Sequence, residues 1–351
     1  MPYIEIIILY CLKQLNGERT IYSIYHLLKG KKSSQTIQDA HLYKLTHFFR
    51  CFESISREVL ETKIQKFLGN HWIVPNGDQQ FLVTSVGEQV LTASLEKQPF
   101  PKHLDGWKYH SESLLFWERF SLLVQVISNF NFKEAHYIPI QKNKQVHRWL
   151  KLFLKENSWQ KNSLGKILHS ELMDCFESAQ NINPAVFIFR LTGYCQIGLT
   201  PLQVAEKLKI ETTKYYIEFQ NIIHFLIQHV RANPIQYKLL SSIILDIKES
   251  NPLTHSSKIT YEYVRKGLSI QEIAKTRGLK TSTIEDHIVE IALNIDGFSI
   301  DSFIDKGIQK KIIAVANRTE TKQLKLIKKH IDTANYFEIR LVLAKFGGVK
   351  Q

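Results

Sequence analysis

The chain has 351 residues, of which 44% are hydrophobic and 23% are charged, and its formal net charge is +13. This composition excludes an intrinsically disordered protein, and the length predicts two or three globular domains. The positive charge favours polyanionic partners, nucleic acid before an anionic membrane.

The longest apolar run, IEIIILYCL, lies at the start of the chain. It is far shorter than the roughly 20 residues of a membrane-spanning helix, and neither a basic flank nor a small-residue cleavage site accompanies it. The four cysteines are scattered, with no closely spaced pair, and read as buried thiols of a reducing compartment. We therefore predict a cytoplasmic protein, compatible with association with the nucleoid, that has no membrane segment.

The sequence pattern of residues 1–98 predicts a winged-helix-like domain. Four segments carry apolar residues at helical spacing, and two short β-type runs then flank Asn76-Gly77, a strong hairpin signal. Helices followed by one small hairpin are typical of a winged helix. Residues 1–100 carry 11 Lys and Arg against 9 Asp and Glu, and this nearly balanced charge favours a structural or protein-docking role for the domain. Whether it binds DNA or protein stays open.

Residues 107–250 predict a helical domain, in which amphipathic helices follow one another. Their many aromatic residues indicate a core, since the same stripes also contain Leu and Ile. A first helix-turn-helix-like unit spans residues 198–223 within this domain.

The segment that begins GLTPLQVAEKLKI is repeated 69 positions later as GLSIQEIAKTRGL, where a third domain is predicted over residues 258–351. In both copies a Thr or Ser caps the first helix, an Ala allows close helix crossing, and an apolar residue fills the turn. Gly278 suits a turn of positive φ in the second copy. The fold class is therefore mainly α, with a C-terminal helix-turn-helix domain that carries basic helices.

The second helix of this C-terminal motif offers an unusual set of side chains to DNA. Lys280 lies at its entry, and Thr281, Thr283, Glu285, Asp286 and Glu290 are predicted to be exposed. A base-reading helix normally presents Arg, Lys, Asn or Gln to the major groove, and carboxylates there would be repelled by phosphates. Sequence-specific readout is therefore disfavoured.

Residues 306–329 hold eight Lys and Arg against one acid, and the segment TETKQLKLIKKHI predicts a helix with outward lysines. A second stretch, residues 133–166, holds eight against two, and reads equally well as a phosphate-binding surface or a solvated helix face. The candidate DNA-binding residues are Lys280, Thr281, Thr283, Lys310, Lys311, Arg318, Lys322, Lys325, Lys328 and Lys329.

The motif GLSIQEIAKTRGLKTSTIEDHI, the basic segment after it and YFEIRLVLAKF together resemble the helix-turn-helix tail of some RecQ-type DNA helicases. The whole chain is similar to the YpbB family, which is encoded beside RecQ-like helicase genes. The resemblance implies an accessory protein of a RecQ-like helicase in DNA repair and recombination, and it brings no catalytic residue with it.

The sequence contains no nucleotide-binding glycine motif, no nucleophile elbow and no metal-ligand spacing, so no cofactor, metal site or catalytic residue is predicted. Three hypotheses follow. The first is a non-catalytic helicase partner that contacts DNA mostly without sequence preference. The second is a transcriptional regulator with a specific DNA site, and the third is an enzyme such as a nuclease.

Overall fold

The computed structural model describes residues 1–156, 163–247, 253–319 and 321–347. The described chain forms two compact units. One, here called the middle unit, comprises residues 98–250 with the first four residues. The other, here called the composite unit, combines residues 5–97 with residues 251–351. The segments predicted as the first and third domains therefore lie in one unit, and the three-domain division stays a prediction.

The elements follow in chain order. The first part contains α1 (Tyr3–Leu15), α2 (Ile21–Lys29), α3 (Ser34–Leu42), α4 (Arg57–Gly69), β1 (Ile73–Gly77), β2 (Gln80–Val83) and α5 (Ser85–Lys97). The second contains α6 (Gly106–Asn131), α7 (Lys144–Glu156), α8 (Leu164–Glu177), α9 (Ala185–Ile188), α10 (Pro201–Lys207), α11 (Thr212–Ala232) and α12 (Lys238–Ile244). The third contains α13 (His255–Arg265), α14 (Ile270–Arg277), α15 (Thr281–Asn294), α16 (Lys306–Thr319), α17 (Leu324–Lys328) and α18 (Tyr336–Phe346).

The mainly helical fold predicted from the sequence is confirmed. Strands β1 and β2 form the antiparallel hairpin expected around Asn76-Gly77, and they follow α2, α3 and α4 as the wing of a winged helix does. Glycine at the turn residue Gly77 accepts a φ of 144°, which other residues rarely adopt. In the described residues, no helix is both long enough and apolar enough to cross a membrane.

The core of the middle unit contains a cluster of aromatic rings among many Leu, Ile and Val side chains. Phe116, Phe120 and Phe187 are at most 1% exposed, and Trp117 packs its ring edge against Phe187 with 5.2 Å between centroids. Edge-to-face and offset pairs of this kind add to the hydrophobic stabilisation of a core. These rings are therefore structural, as the sequence predicts, and are not a platform for nucleic-acid bases.

The two halves of the internal repeat have the same local geometry. Thr200 and Ser269 each form a capping box at the start of α10 and α14. The turn residues Lys209 and Gly278 both have positive φ, at 54° and 61°. In each copy the next residue donates its N–H to the carbonyl of the small helix residue, Ile210 to Ala205 and Leu279 to Ala274, both at 3.0 Å. The repeat by 69 positions is therefore a repeat of structure.

The composite unit joins its two chain segments through a polar anchor and a helix contact. Glu18 accepts a hydrogen bond from the Thr321 hydroxyl at 2.6 Å and from the Lys322 N–H at 3.1 Å, and Tyr43 donates to its other oxygen at 2.7 Å. Helix α3 packs against both α15 and α18. The N-terminal segment is thus part of the framework on which the helix-turn-helix motif is built.

Acid should destabilise the composite unit because burial lowers the pKa of His41, on α3, from 6.5 to about 4. Below pH 6.5 the His41 imidazole is protonated in the unfolded chain but stays neutral in the folded chain down to about pH 4. The free energy of unfolding therefore falls between pH 6.5 and 4, by up to about 3 kcal/mol. Urea unfolding across this range should be flatter for His41→Gln. The matched change at the exposed His255, to Gln, should keep the parent profile, and an unchanged slope in His41→Gln would contradict the assignment.

Candidate nucleic-acid interface

The C-terminal helix-turn-helix motif consists of α14, the turn at Gly278 and α15, with α13 packed against both helices. Ser269 caps α14 and exchanges hydrogen bonds with Glu272, which fixes where the helix begins. Gly278 ends it in the left-handed conformation. Ile273, Ile284 and Ile288 are fully buried between these helices.

The first turn of α15 is the part of this helix that is most accessible to a ligand. Lys280, Thr281 and Ser282 are exposed and Thr283 is half-buried, whereas every residue from His287 to Ala292 is buried. The reason is that α15 packs against α13, α14, α18 and α3. Because residues 287–292 are buried, α15 cannot lie along a major groove over its full length, and the part it offers to DNA is mainly its N-terminal end.

The carboxylates of α15 are used inside the protein. Glu290 is 4% exposed, and its Oε2 accepts from the Ser257 hydroxyl at 2.7 Å and from the Thr254 hydroxyl at 3.1 Å. Asp286 pairs with Arg340 of α18. The prediction that Glu290 is exposed toward DNA is therefore wrong, because the start of α13 needs an acceptor at that point.

Glu285 is the acid of α15 that stays closest to the accessible turn. It is half-buried, and burial raises its pKa, with Asp286 acting in the same direction and Arg340 opposing it. The Arg340 cation, which pairs with Asp286, offsets part of the negative charge at this point, so the repulsion of phosphate near the first turn of α15 is reduced.

A buried polar network holds the motif together. The Arg277 guanidinium donates to the Ser256 carbonyl at 2.9 Å and to the hydroxyl of Thr260, while the Thr260 hydroxyl lies 2.8 Å from His287 Nδ1. Burial lowers the pKa of His287, and Arg277 adds to the effect. A neutral imidazole on α15 therefore shares partners with a cation on α14, and this histidine is structural.

Helix α16 carries an exposed basic surface, here called the α16 patch, formed by Lys306, Lys310, Lys311 and Arg318. Its opposite side is anchored by the buried Gln309 and Ile312. Residues 306, 310, 311 and 318 recur at spacings that place them on one side of a helix, and α16 contains no acid. Three of the predicted DNA-binding residues are thus brought together here, with Lys306 added.

The segment after α16 contributes further cations, although α17 is only five residues long. Lys325 and Lys329 are exposed, whereas Lys328 is half-buried and donates to the Asp332 carbonyl at 2.9 Å. Helices α16 and α17 pack against each other and both pack on α18. Lys325 and Lys329 therefore extend the basic surface of this part of the unit.

Lys322 does not present its ammonium to solvent, which corrects the expectation of an outward row with Lys325 and Lys329. It precedes α17, its Nζ donates to the Leu42 carbonyl, and the same atom lies 4.9 Å from the centroid of the Tyr43 ring. Burial lowers its pKa, although the carboxylate of Glu18 acts in the opposite direction. The sequence pattern failed here because α3, distant in sequence, supplies the partners.

Lys322 should therefore respond to charge reversal differently from the exposed Lys325 and Lys329. Lys322→Glu places a second carboxylate beside Glu18 and should cost about 3 kcal/mol of folding free energy, with a lower melting temperature. Lys325→Glu with Lys329→Glu should leave melting unchanged and weaken DNA binding about tenfold at low salt. Thermal melting and fluorescence anisotropy on the same samples measure both. Equal melting temperatures for Lys322→Glu and the parent chain would refute the assigned role.

The hairpin of the winged-helix-like segment carries no cation, and the two lysines of α4 are paired inside the protein. The residues of β1 and β2 and the turn between them, IVPNGDQQFLV, contain neither Lys nor Arg. On α4, Lys63 and Lys66 both donate to the buried Glu5, at 2.9 and 2.8 Å. Burial alone would raise the pKa of Glu5, but these two ammonium groups outweigh it and lower the pKa. These two lysines of α4 thus serve the core of the unit.

The sequence of this chain is similar to a known domain family and to a known full-length protein. A family model described as a helix-turn-helix domain matches residues 256–343, which include α14, α15, α16 and most of α18. Protein YpbB of Bacillus subtilis (strain 168) is 34% identical over 347 residues, covering 98% of this chain and 98% of that protein. No solved structure matches the chain significantly.

Proposed function

The chain belongs to the YpbB family, and we propose that it is a non-catalytic accessory protein of a RecQ-like DNA helicase that contacts DNA largely through phosphates. The α16 patch carries the DNA part of this proposal, because its cations lie within the residues matched by the helix-turn-helix family model. A helix-turn-helix domain is a common DNA-binding module.

Phosphate contact is favoured over base reading by the burial of α15. Lys and Arg bind phosphates of any sequence, whereas base discrimination requires side chains in a groove. Of the ten candidate residues, Lys280, Thr281 and Thr283 lie at the first turn of α15, and the other seven are outside it. The surface is therefore suited to hold DNA with little preference for sequence.

A salt series tests the mode of binding. Anisotropy titrations with random and with selected duplexes should give the same dissociation constant within a few fold, and a steep loss of affinity as salt rises. A duplex that selection enriches, and that binds a thousandfold tighter than random DNA, would favour the regulator instead. The exposed first turn of α15 is the observation that keeps the regulator as the alternative.

The helicase part of the proposal is supported by the resemblance of the C-terminal segment to helicase tails. The test is the unwinding rate of the RecQ-like helicase from the same cell, measured with and without this protein, together with co-purification of the two. We expect a stable complex and a faster or more processive reaction. Absence of any complex, and an unchanged rate, would remove the helicase from the proposal and leave DNA binding.

The non-catalytic role has its own test. In the described residues, no group of three or more His, Cys, Asp and Glu side chains could hold a metal ion. We expect no cleavage when the protein is incubated with labelled single-stranded and duplex DNA in the presence of Mg²⁺ or Mn²⁺. Product that co-purifies with the chain through successive columns would restore the nuclease hypothesis.

A further inference from the structure

A loop of the middle unit holds an isoleucine out into solvent. Ile138 is 88% exposed, yet the loop that carries it is fixed from below by Gln125, which is 4% exposed. The Gln125 amide donates to the Ile138 carbonyl at 3.0 Å, and its oxygen accepts from the Ile140 N–H at 2.9 Å. Because the buried Gln125 amide binds the backbone on both sides of Pro139, it fixes the position in which Ile138 is exposed.

The same loop is fastened to its neighbours at a second point. The Gln141 amide donates to the hydroxyl of the fully buried Ser121 at 2.9 Å, and His147 Nε2 donates to the Gln141 carbonyl at 2.6 Å. The loop is therefore tied to α6 through Ser121 and Gln125, and to α7 through His147. An aliphatic side chain displayed by a braced loop is pre-organised for contact, which lowers the entropic cost of binding.

Helix α7 presents a row of cations next to this loop. Lys144, Arg148, Lys151 and Lys155 are exposed at spacings of four, three and four residues, so they lie along one face for about 16 Å. The opposite face is buried through Val146, Leu150 and Phe153. The only acid of α7 is Glu156, its last residue.

Loop and helix enclose an open groove of about 650 Å³. Ile138 and Pro139 form its apolar wall, and Lys142, Lys144, Arg148 and Lys151 form its basic wall, with no carboxylate among the residues that line it. Leu152 is 55% exposed on the same helix. We propose that this groove, formed by the loop around Ile138 and helix α7, binds an extended acidic polypeptide segment that carries an aliphatic or aromatic anchor residue.

The mixture of wall types favours a polypeptide over nucleic acid. Phosphates satisfy the cations but leave Ile138 in water, and single-stranded DNA uses exposed aromatic rings, which this groove does not present. An acidic segment with one apolar residue satisfies both walls, since its carboxylates pair with the cations and its anchor covers Ile138 and Pro139. The inference rests on the middle unit, whereas the DNA-binding proposal rests on the composite unit, so either can fail alone.

The experiment uses the full chain and two fluorescein-labelled octapeptides of Asp and Glu, one with a central Leu and one with Ser in its place. At low ionic strength the Leu peptide should bind about tenfold or more tightly than the Ser peptide. Arg148→Glu with Lys151→Glu should weaken both peptides by more than tenfold. Ile138→Ser should reduce the Leu peptide to the affinity of the Ser peptide and leave the latter unchanged.

The matched control is Lys102→Glu with Lys238→Glu, which makes the same charge change at exposed lysines of the middle unit outside the groove. It should retain the binding of both peptides within about twofold. Equal affinity of the two peptides, or no effect of the groove variants, would overturn the proposal. An oligothymidylate that loses more than tenfold in affinity with Arg148→Glu and Lys151→Glu, while neither peptide binds, would assign the groove to nucleic acid instead.

Discussion

Reversal of Lys310, Lys311 and Arg318 to Glu should lower the affinity for duplex DNA about a hundredfold at low salt, and by the same factor on every sequence. All three side chains are exposed on α16, so each can reach a phosphate without being pulled from a partner in the core. The slope of log affinity against log salt is negative, and each lost phosphate contact reduces its magnitude by about 0.9. The salt dependence should therefore become shallower by about 3.

Fluorescence anisotropy across a salt series measures both quantities, and circular dichroism checks that the helix content is unchanged. The control reverses Lys29, Lys31 and Lys97, which are exposed in the N-terminal part of the same unit. It alters the net charge by the same amount and should cost less than about threefold in affinity. Equal losses in the two triple variants would mean that DNA responds to total charge, and the α16 patch would not be an interface.

Ala274→Glu should cost about 4 kcal/mol and unfold much of the composite unit at room temperature. Ala274 is 7% exposed on α14, next to the fully buried Ile273, and its carbonyl accepts the N–H of the turn residue Leu279. A methyl group fits where α14 crosses α15, whereas a glutamate would be buried without a partner or would push the helices apart.

Thermal unfolding and hydrogen exchange of the α15 amides measure the effect. The neighbouring change Lys275→Glu introduces the same side chain at an exposed position and should shift the stability by less than about 0.5 kcal/mol. Ala274→Ser, which adds one hydroxyl, should fall between the two. A melting curve of Ala274→Glu that overlays that of Lys275→Glu would show that the two helices do not cross at this residue.

Local structure was predictable from the sequence because its signals are local. The capping residues Thr200 and Ser269, the turn at Gly278 and the hairpin around Asn76-Gly77 each depend on a few adjacent residues, and the structure has all of them. The repeat by 69 positions was likewise visible, since both copies need the same small residue and the same capped start.

The directions of individual charges were less predictable, because partners distant in sequence set them. In the helical pattern of the sequence, Glu290 and Lys322 look like solvated residues. In the structure Glu290 accepts hydrogen bonds from the Thr254 and Ser257 hydroxyls. Lys322 donates to the Leu42 carbonyl and lies over the Tyr43 ring. Nothing in the sequence near either residue announces these partners. The α16 patch was predictable as a charge excess, whereas its separation from Lys322 was not.

The packing of α3 on α15 and α18 has a consequence for how this protein is dissected in the laboratory. A fragment cut to begin near residue 98 would keep the whole matched helix-turn-helix region but strip away the helix that shields it, and its newly wetted apolar side chains should drive aggregation. Failure of such a fragment to bind DNA would then reflect misfolding. Single-residue exchange in the intact polypeptide, and not deletion of segments, is the way to map its activities.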